Sequence, residues 1–367
     1  MSSGTGRTSS PVWTLRYYGI RVVLKLPNML RTESERTVAA VRHRLDRNTF
    51  RFVSETHLEL APQPPPDCRT LVLFAHFDPQ GIVDPYVGYY LKALRGLGAT
   101  IVFVSGSPTL TPESVAPIRS LCAGVYTRRT LSHDFGSWHL AWCMLRQRGW
   151  SLDQFDRFVI ANDSVFGPLF PLEEMWNSFH DADMYGAIEN TQMVPHLQSF
   201  FLAWDLNSRT RPFLNGFWSE FKYVVHKGTV IWRYEIGLSR RARKAGLSVK
   251  PFVSAAAIET TYGSSSAPRW AGTRSARNNG TLYFWDGLIK DFRFPFLKTV
   301  LLQHKKPWHQ SMPHLRDVVE RHTRYPYRLI ESNVDRVRRG RRLPRDQRPR
   351  KRFGQGWSSG WRFRGLG

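Results

Sequence analysis

Phe158-Val159-Ile160-Ala161-Asn162-Asp163-Ser164-Val165-Phe166-Gly167-Pro168 is the stretch that decides the fold. It opens as a short apolar run, Phe158 to Ala161, the pattern of a strand buried on both faces. Three small polar side chains follow at the strand's C-terminal edge, and Gly167 and Pro168 then break the chain. In open α/β sheets that edge is where ligands bind. A carboxylate flanked there by oxygen-bearing side chains suits a hard divalent cation that also holds phosphate oxygens. The same residues equally suit an Asx-type turn whose side chains bond their own backbone, and the stretch alone leaves both readings open.

The N-terminal neighbours predict alternating strands and helices. Leu71 to Phe74 reads as a buried strand, and Asp84-Pro85 as a helix start with proline at the first helical position. Val87, Tyr90, Leu91 and Leu94 give that helix one apolar face, and Gly96 and Gly98 end it. A second strand at Thr100–Ser105, a helix behind Thr111-Pro112 and a third strand at Gly124–Thr127 follow. Trp138, Ala141, Trp142 and Leu145 mark a further helix face ending at Gly149. Beyond the central stretch, helices are predicted behind Pro171, around Phe213 and Phe217, and over Ile236–Ala245, with strands at Met184–Ile188, Leu197–Trp204 and Ser248–Val253. Strand and helix in alternation predict an α/β fold with a mostly parallel central sheet. Ser264 to Gly280 reads as a polar loop near the site.

Four polar clusters fall at strand ends or helix starts. His76-Phe77-Asp78 follows the first strand and either meets a nucleobase or ribose or forms a turn into Pro79. In Ser132-His133-Asp134-Phe135-Gly136-Ser137-Trp138, either Asp134 faces a ligand or Asp134 or Ser137 is no more than a helix N-cap. Asn162-Asp163-Ser164 is the third cluster. The fourth is Tyr234-Glu235-Ile236, ahead of a helix bearing Arg240, Arg241, Arg243 and Lys244. A Glu in a first helical turn is either a dipole partner or a positioned general base. His196-Leu197-Gln198-Ser199 adds a polar knot to an otherwise apolar segment, where His196 and Gln198 could meet sugar hydroxyls or be satisfied within the core.

Composition narrows the classes. The 367 residues are 41% hydrophobic, enough for a large core. Three cysteines, Cys68, Cys122 and Cys143, form no CxxC pair, so neither a disulfide framework nor a cysteine metal site is expected and a reducing compartment fits. No apolar run follows the polar N-terminus and none is long enough to span a bilayer, so a cytoplasmic protein is expected. The net charge of +24 raises nucleic acid as a partner, yet residues 336–367 alone hold twelve Arg or Lys against Asp346. Such a segment reads as a disordered basic tail, suited to anionic lipid or nucleic acid or simply solvated, and its removal is expected to leave the fold intact. Trp13 to Leu30, basic and aromatic, reads either as an element packed on the main domain or as a membrane-surface stretch. Four prolines between Ala61 and Pro66 read as a linker. The organisation expected is thus an extension and linker over 1–66, a catalytic domain over 67–305, a helical extension over 306–335 and the tail over 336–367.

Taken in order, His76-Phe77-Asp78, Asp134-Phe135-Gly136-Ser137-Trp138, Ala161 to Pro168, His196 to Phe201 and Tyr234-Glu235-Ile236-Gly237-Leu238-Ser239 resemble the rhamnan synthesis F family of polysaccharide glycosyltransferases. Tyr283-Phe284-Trp285-Asp286 and Phe294-Pro295-Phe296-Leu297-Lys298 resemble that family's C-terminal motif, so the likeness covers roughly residues 70–303. The resemblance implies a glycosyltransferase A-type fold, a nucleotide-sugar donor such as dTDP-L-rhamnose, and a lipid-linked or cell-surface glycan as acceptor, met at the inner membrane face. It implies Mg²⁺ or Mn²⁺ on Asp163, although this chain has Asn162-Asp163-Ser164 where such enzymes carry Asp-x-Asp. It also implies Glu235 as base, since Glu235, Leu238, Arg241 and Gly246 stand close to the base-bearing helix of inverting members. His76, Asp78, Asp134, Asn162 and Ser164 would then hold the donor, and His196 and Gln198 the acceptor or sugar. The rival classes are a nucleic-acid-binding protein using the tail, for which no recognition motif is present, and an inactive glycan-binding homologue.

Overall fold

A computed structural model describes residues 54–128, 132–224, 226–263, 279–303 and 314–342. The basic aromatic stretch 13–30, most of the 264–280 loop and residues 343–367 lie outside them. The strands are β1 Ser54–Leu58, β2 Thr70–His76, β3 Ala99–Ser105, β4 Gly124–Arg128, β5 Arg157–Asn162, β6 Val165–Phe166, β7 Met184–Asn190, β8 His196–Leu197, β9 Phe201–Asp205, β10 Val249–Val253 and β11 Leu297–Lys298. The helices are α1 Pro85–Gly96, α2 Pro112–Arg119, α3 His133–Gln147, α4 Leu172–Asn177, α5 Thr210–Ser219, α6 Lys227–Val230, α7 Gly237–Lys244, α8 Ala255–Tyr262, α9 Gly280–Tyr283, α10 Trp285–Phe292, α11 Val300–Gln303, α12 Leu315–His322 and α13 Arg328–Arg342.

The central sheet runs β1-β4-β3-β2-β5-β9-β7-β10, with β8 added to the end of β7. β4, β3, β2 and β5 are parallel neighbours. β9 is antiparallel to both β5 and β7, which restores β7 to the common direction, and β10 is parallel to β7. β2, β3, β4, β5, β7 and β10 therefore point one way, as expected for a mostly parallel sheet. The chain builds β3 and β4 on one side of β2 and then returns to lay β5 on the other. The crevice between the C-terminal ends of β2 and β5 is thus the topological switch point, the place where such sheets bind ligands.

The central strands are buried on both faces, so their alternate residues feed two cores. Val72 and Phe74 of β2 join Val159 and Ala161 of β5 in a core covered by α1, α2, α10, α12 and α13. Leu71, Leu73, Phe158 and Ile160 join the opposite core, roofed by α3, α5 and α7. Apolar stripes on the helices close each layer: Tyr86, Val87, Tyr90, Leu91 and Leu94 of α1 are buried, as are Trp138, Ala141, Trp142 and Leu145 of α3.

Three local expectations change. The strand expected over Leu197–Trp204 is two pieces, β8 paired to β7 and β9 paired to β5, with Gln198 to Phe200 turning between them. Glu235 does not open a helix. Helical structure begins at Lys227 and runs to Lys244 through a π-helical turn over Ile231–Ile236, so Glu235 sits mid-helix. Residue 336 does not begin a structureless tail: residues 336–342 complete α13, and the rest of the expected tail lies outside the described residues. That helix is amphipathic: Ile330 and Val334 enter the first core, while Arg336 reaches the loop after β2.

Arg336 clamps that loop. Its Nε donates to Asp84 Oδ1 (2.9 Å), Nη1 to Gln80 Oε1 (2.8 Å), and Nη2 to Asp78 Oδ2 (2.7 Å) and to Asp84 Oδ2. Asn333 Nδ2 also donates to Asp84 Oδ2 (2.6 Å). Burial works against the charge on Arg336, but the hydrogen bond to Asp84 and the charge of Asp78 outweigh it and raise its pKa. The side chains of Asp78 and Asp84 are 9% and 7% exposed, so removing the cation strands two carboxylates away from water. Arg336→Met should therefore cost about 3 kcal/mol in denaturant unfolding, and truncation after Asp335 at least as much. Unchanged midpoints in both would contradict this clamp.

Candidate active site

The candidate residues gather at one edge because β2, β4, β5 and β7 end there. From β5, the chain turns sharply. Ser164 N and Oγ both donate to Asn162 Oδ1 (3.1 and 2.7 Å), which is the Asx-type turn. Asn162 Nδ2 points the other way and donates to Asp134 Oδ2 (2.7 Å) at the start of α3. Asn162 and Ser164 thus shape the turn and hold Asp134. Neither Asp134 nor Ser137 is the N-cap of α3; that position is Ser132, and Ser137 Oγ accepts from Arg128 Nε (2.8 Å).

The turn presents Asp163 to the switch-point crevice. Its Oδ2 accepts from Phe77 N (3.0 Å), tying β5 to the loop after β2. His76 Nε2 lies 3.7 Å from the same oxygen, while His76 Nδ1 meets Ser105 Oγ at 2.9 Å. This contact is not an ion pair at neutral pH, because burial lowers the His76 pKa to about 4. Burial also raises the Asp163 pKa well above the ordinary 3.8, with the nearby Asp134 and Asp78 charges adding to the effect. Burial likewise raises Asp134. Asp78 sits beside them, but its Oδ1 accepts from Gln80 N (2.8 Å) and Ile82 N (3.2 Å) and its Oδ2 from Arg336. Its carboxylate is spent on the loop.

On the β7 side, β8 places His196 opposite Asn190. Glu235 reaches this point from the π-helical turn, a widening that often marks functional positions. Glu235 Oε2 accepts from Ser199 Oγ (3.0 Å), and Oε1 lies 3.7 Å from His196 Nε2. Burial opposes ionisation of Glu235, yet His196, the Lys298 charge and Ser199 together hold its pKa below the ordinary 4.5. His196, despite burial, is raised by Glu235 and by its own bond to Val194 O (2.7 Å). Gln198 Nε2 donates to Asn279 Oδ1 (3.2 Å) and Thr281 Oγ1 (3.3 Å) beside them.

Sequence reasoning missed the cations. Lys298 on β11 stands between the two halves of the site, feeling both Glu235 and Asp134. Arg128, fully buried at the end of β4, donates to Ser137 Oγ and to the His133 carbonyl. The available signal for Lys298 was a lone cation closing the aromatic run Phe294-Pro295-Phe296-Leu297.

The implied Mg²⁺ or Mn²⁺ can be tested against these donors. Among the described residues no group of three or more His, Cys, Asp or Glu side chains could hold a metal ion. Asp163 is tied to Phe77 N–H and faces a neutral His76, and the next carboxylate, Asp134, is engaged by Asn162. Among the described residues the protein alone thus offers no three-ligand centre, and an ion of the kind the resemblance implies would share Asp163 with the diphosphate.

With fold and site in place, the comparisons agree with the resemblance. The family model described as rhamnan synthesis protein F matches residues 101–344, about two thirds of the chain, and the chain belongs to that family. The match extends through α13 and begins after His76 and Asp78, so it reaches further toward the C-terminus, and starts later, than the motif likeness. No curated protein matches the chain. Membership ties the chain to polysaccharide synthesis. Among the described residues no helix is long and apolar enough to cross a membrane.

The buried acid at the switch point has a thermodynamic signature. An acid whose pKa rises on folding binds its proton more tightly in the folded chain, so stability falls as pH climbs from its ordinary value toward the raised one. Asp163→Asn keeps an acceptor for Phe77 N–H and removes the ionisation. The variant should be at least as stable as the wild type at pH 7, and the advantage should vanish near about pH 4. Denaturant midpoints at the two pH values test this; a variant less stable at pH 7 contradicts it.

Proposed function

We propose that the chain is an inverting glycosyltransferase of A-type fold that moves a deoxyhexose, L-rhamnose on dTDP, to a cell-surface or lipid-linked glycan at the inner face of the membrane. The observation that carries this reading is Glu235: a carboxylate kept ionised, 23% exposed, at the same sheet edge as the β2–β5 crevice. A base that is already ionised at neutral pH is ready to accept a proton, and Ser199 and His196 fix its orientation.

The nucleotide lies in the crevice against His76, Asp134 and Asp163. Asp78, Asn162 and Ser164 act one step back, shaping the loops that line it. His196 and Gln198 border the acceptor side. In the transfer, the acceptor hydroxyl gives its proton to Glu235. Its oxygen bonds to the anomeric carbon as the bond from that carbon to the diphosphate oxygen breaks, and the electron pair leaves with the diphosphate. One displacement inverts the anomeric centre.

The position of Glu235 sharpens the test. Mid-helix, it has no first-turn dipole role, but its ionised carboxylate supports His196 and Lys298, so Glu235→Gln should lose some stability at pH 7 while the chain stays folded. Transfer should fall by roughly two to four orders of magnitude, the usual worth of a positioned base. Mass-spectrometric detection of product from dTDP-rhamnose and a panel of other nucleotide sugars supplies the readout. The wild-type rate should hold until pH falls through the lowered Glu235 value. His196→Gln removes one cause of that lowering and should move the acid limb of kcat/KM to higher pH. A Glu235→Gln enzyme with wild-type turnover would remove the base assignment.

A further inference from the structure

Lys298 occupies a place that a diphosphate-leaving reaction needs filled. β11 runs antiparallel to β6, with Lys298 opposite Val165, directly after the Asp163 turn. The next residue locks the register: Thr299 N and Oγ1 both donate to Ser164 O, at 3.0 and 3.1 Å. Lys298 is therefore fixed to the same turn that presents Asp163. Its Nζ rests 4.1 Å from the centroid of the Phe200 ring. The ammonium feels the charges of Glu235 and Asp134, yet among the described residues it forms no ion pair. The cation is thus within electrostatic reach of both Asp134 and Glu235, with the Phe200 ring beside it.

Burial opposes that charge and lowers the Lys298 pKa to about 8, so the group is still mostly protonated at neutral pH. An aromatic face is a weak partner compared with a phosphate oxygen. A partly desolvated ammonium without a bound anion gains when an anion arrives, and the anion that must be stabilised during transfer is the departing diphosphate. Among the described residues the nearby carboxylates form no group of three that could hold a metal ion by themselves.

We propose that Lys298, rather than a divalent cation, supplies the positive charge against the departing diphosphate. The proposal rests on the glycosyltransferase reading and deepens it: the site takes a nucleoside diphosphate through an ammonium–phosphate contact. As the bond to the anomeric carbon breaks, the electron pair moves to the diphosphate oxygen, and Lys298 neutralises the charge gained there without giving up its proton.

The test is equilibrium binding of dTDP and UDP to the full chain, in EDTA and in Mg²⁺. Wild type should bind dTDP in EDTA, and added Mg²⁺ should change the affinity little. Lys298→Met should weaken binding about ten- to a hundredfold, the worth of a hydrogen bond to a charged group. Lys298→Arg should recover most of it, and a thermal melt of each variant separates misfolding from lost binding. Wild-type binding that vanishes in EDTA and returns with Mg²⁺ would overturn the proposal while keeping the transferase reading. So would a folded Lys298→Met chain that binds as the wild type does. Failure of the wild type to bind either nucleotide in either condition would overturn the transferase reading and this proposal with it.

Discussion

Everything at the candidate site depends on one pairing: β5 lies parallel beside β2, with Thr70 to Ala75 in register against Arg157 to Asn162. The chain reaches that pairing only after building β3 and β4 on the far side of β2. β5 therefore lies beside β2 rather than beside β4, the strand built just before it, and a crevice opens where the two strands end. Both strands are apolar on both faces, so packing fixes the register: a one-residue slip would swap the side chains that feed the two cores. The same register sets Asn162 opposite Ala75 and carries Asp163 to the Phe77 amide.

The second constraint is electrostatic. Burying ionisable groups beside one another is tolerable only when each is paired, hydrogen-bonded or neutralised. The molecule uses all three solutions along one edge. Asp78 and Asp84 are paired with Arg336; His76 and Asp163 are driven toward their neutral forms; Glu235 is kept charged by His196, Lys298 and Ser199. Groups with opposite tendencies thus sit near one another, the condition under which one side chain binds a ligand and another moves a proton. The last helix takes part in this arrangement from more than two hundred residues away in sequence, since Arg336 holds the loop that forms one wall of the crevice.

Much of the fold was legible because its signals are local. The buried runs of β2, β3 and β5, the proline-started helices α1 and α2 and the apolar stripe of α3 all follow from period and capping chemistry. The site clusters were legible too, as polar residues breaking apolar runs at strand ends. What could not be read was the partner of each. Nothing in His76-Phe77-Asp78 announces that Asp78 faces Arg336, because that contact joins residues 258 apart. Arginine-rich composition suggested a structureless segment from residue 336, yet Ile330 and Val334 anchor the helix just before it and carry Arg336 inward. Glu235 was placed at a helix start because Ile236 opens the clearest apolar pattern; the preceding turns from Lys227, including the π turn, have no such period. Lys298 was hidden by its aromatic neighbours, and only the pairing of β11 with β6 brings it to the site.

The account's central claim is that the β2–β5 crevice takes a nucleoside diphosphate, with the base across from it at Glu235. A crystal structure of the chain with dTDP bound tests this most directly. The account predicts the nucleoside against His76 and Asp163, the diphosphate turned toward Lys298, and open space between its terminal phosphate and Glu235 for a sugar. A nucleotide bound away from the ends of β2 and β5, or a diphosphate facing away from both Lys298 and Glu235, would contradict it.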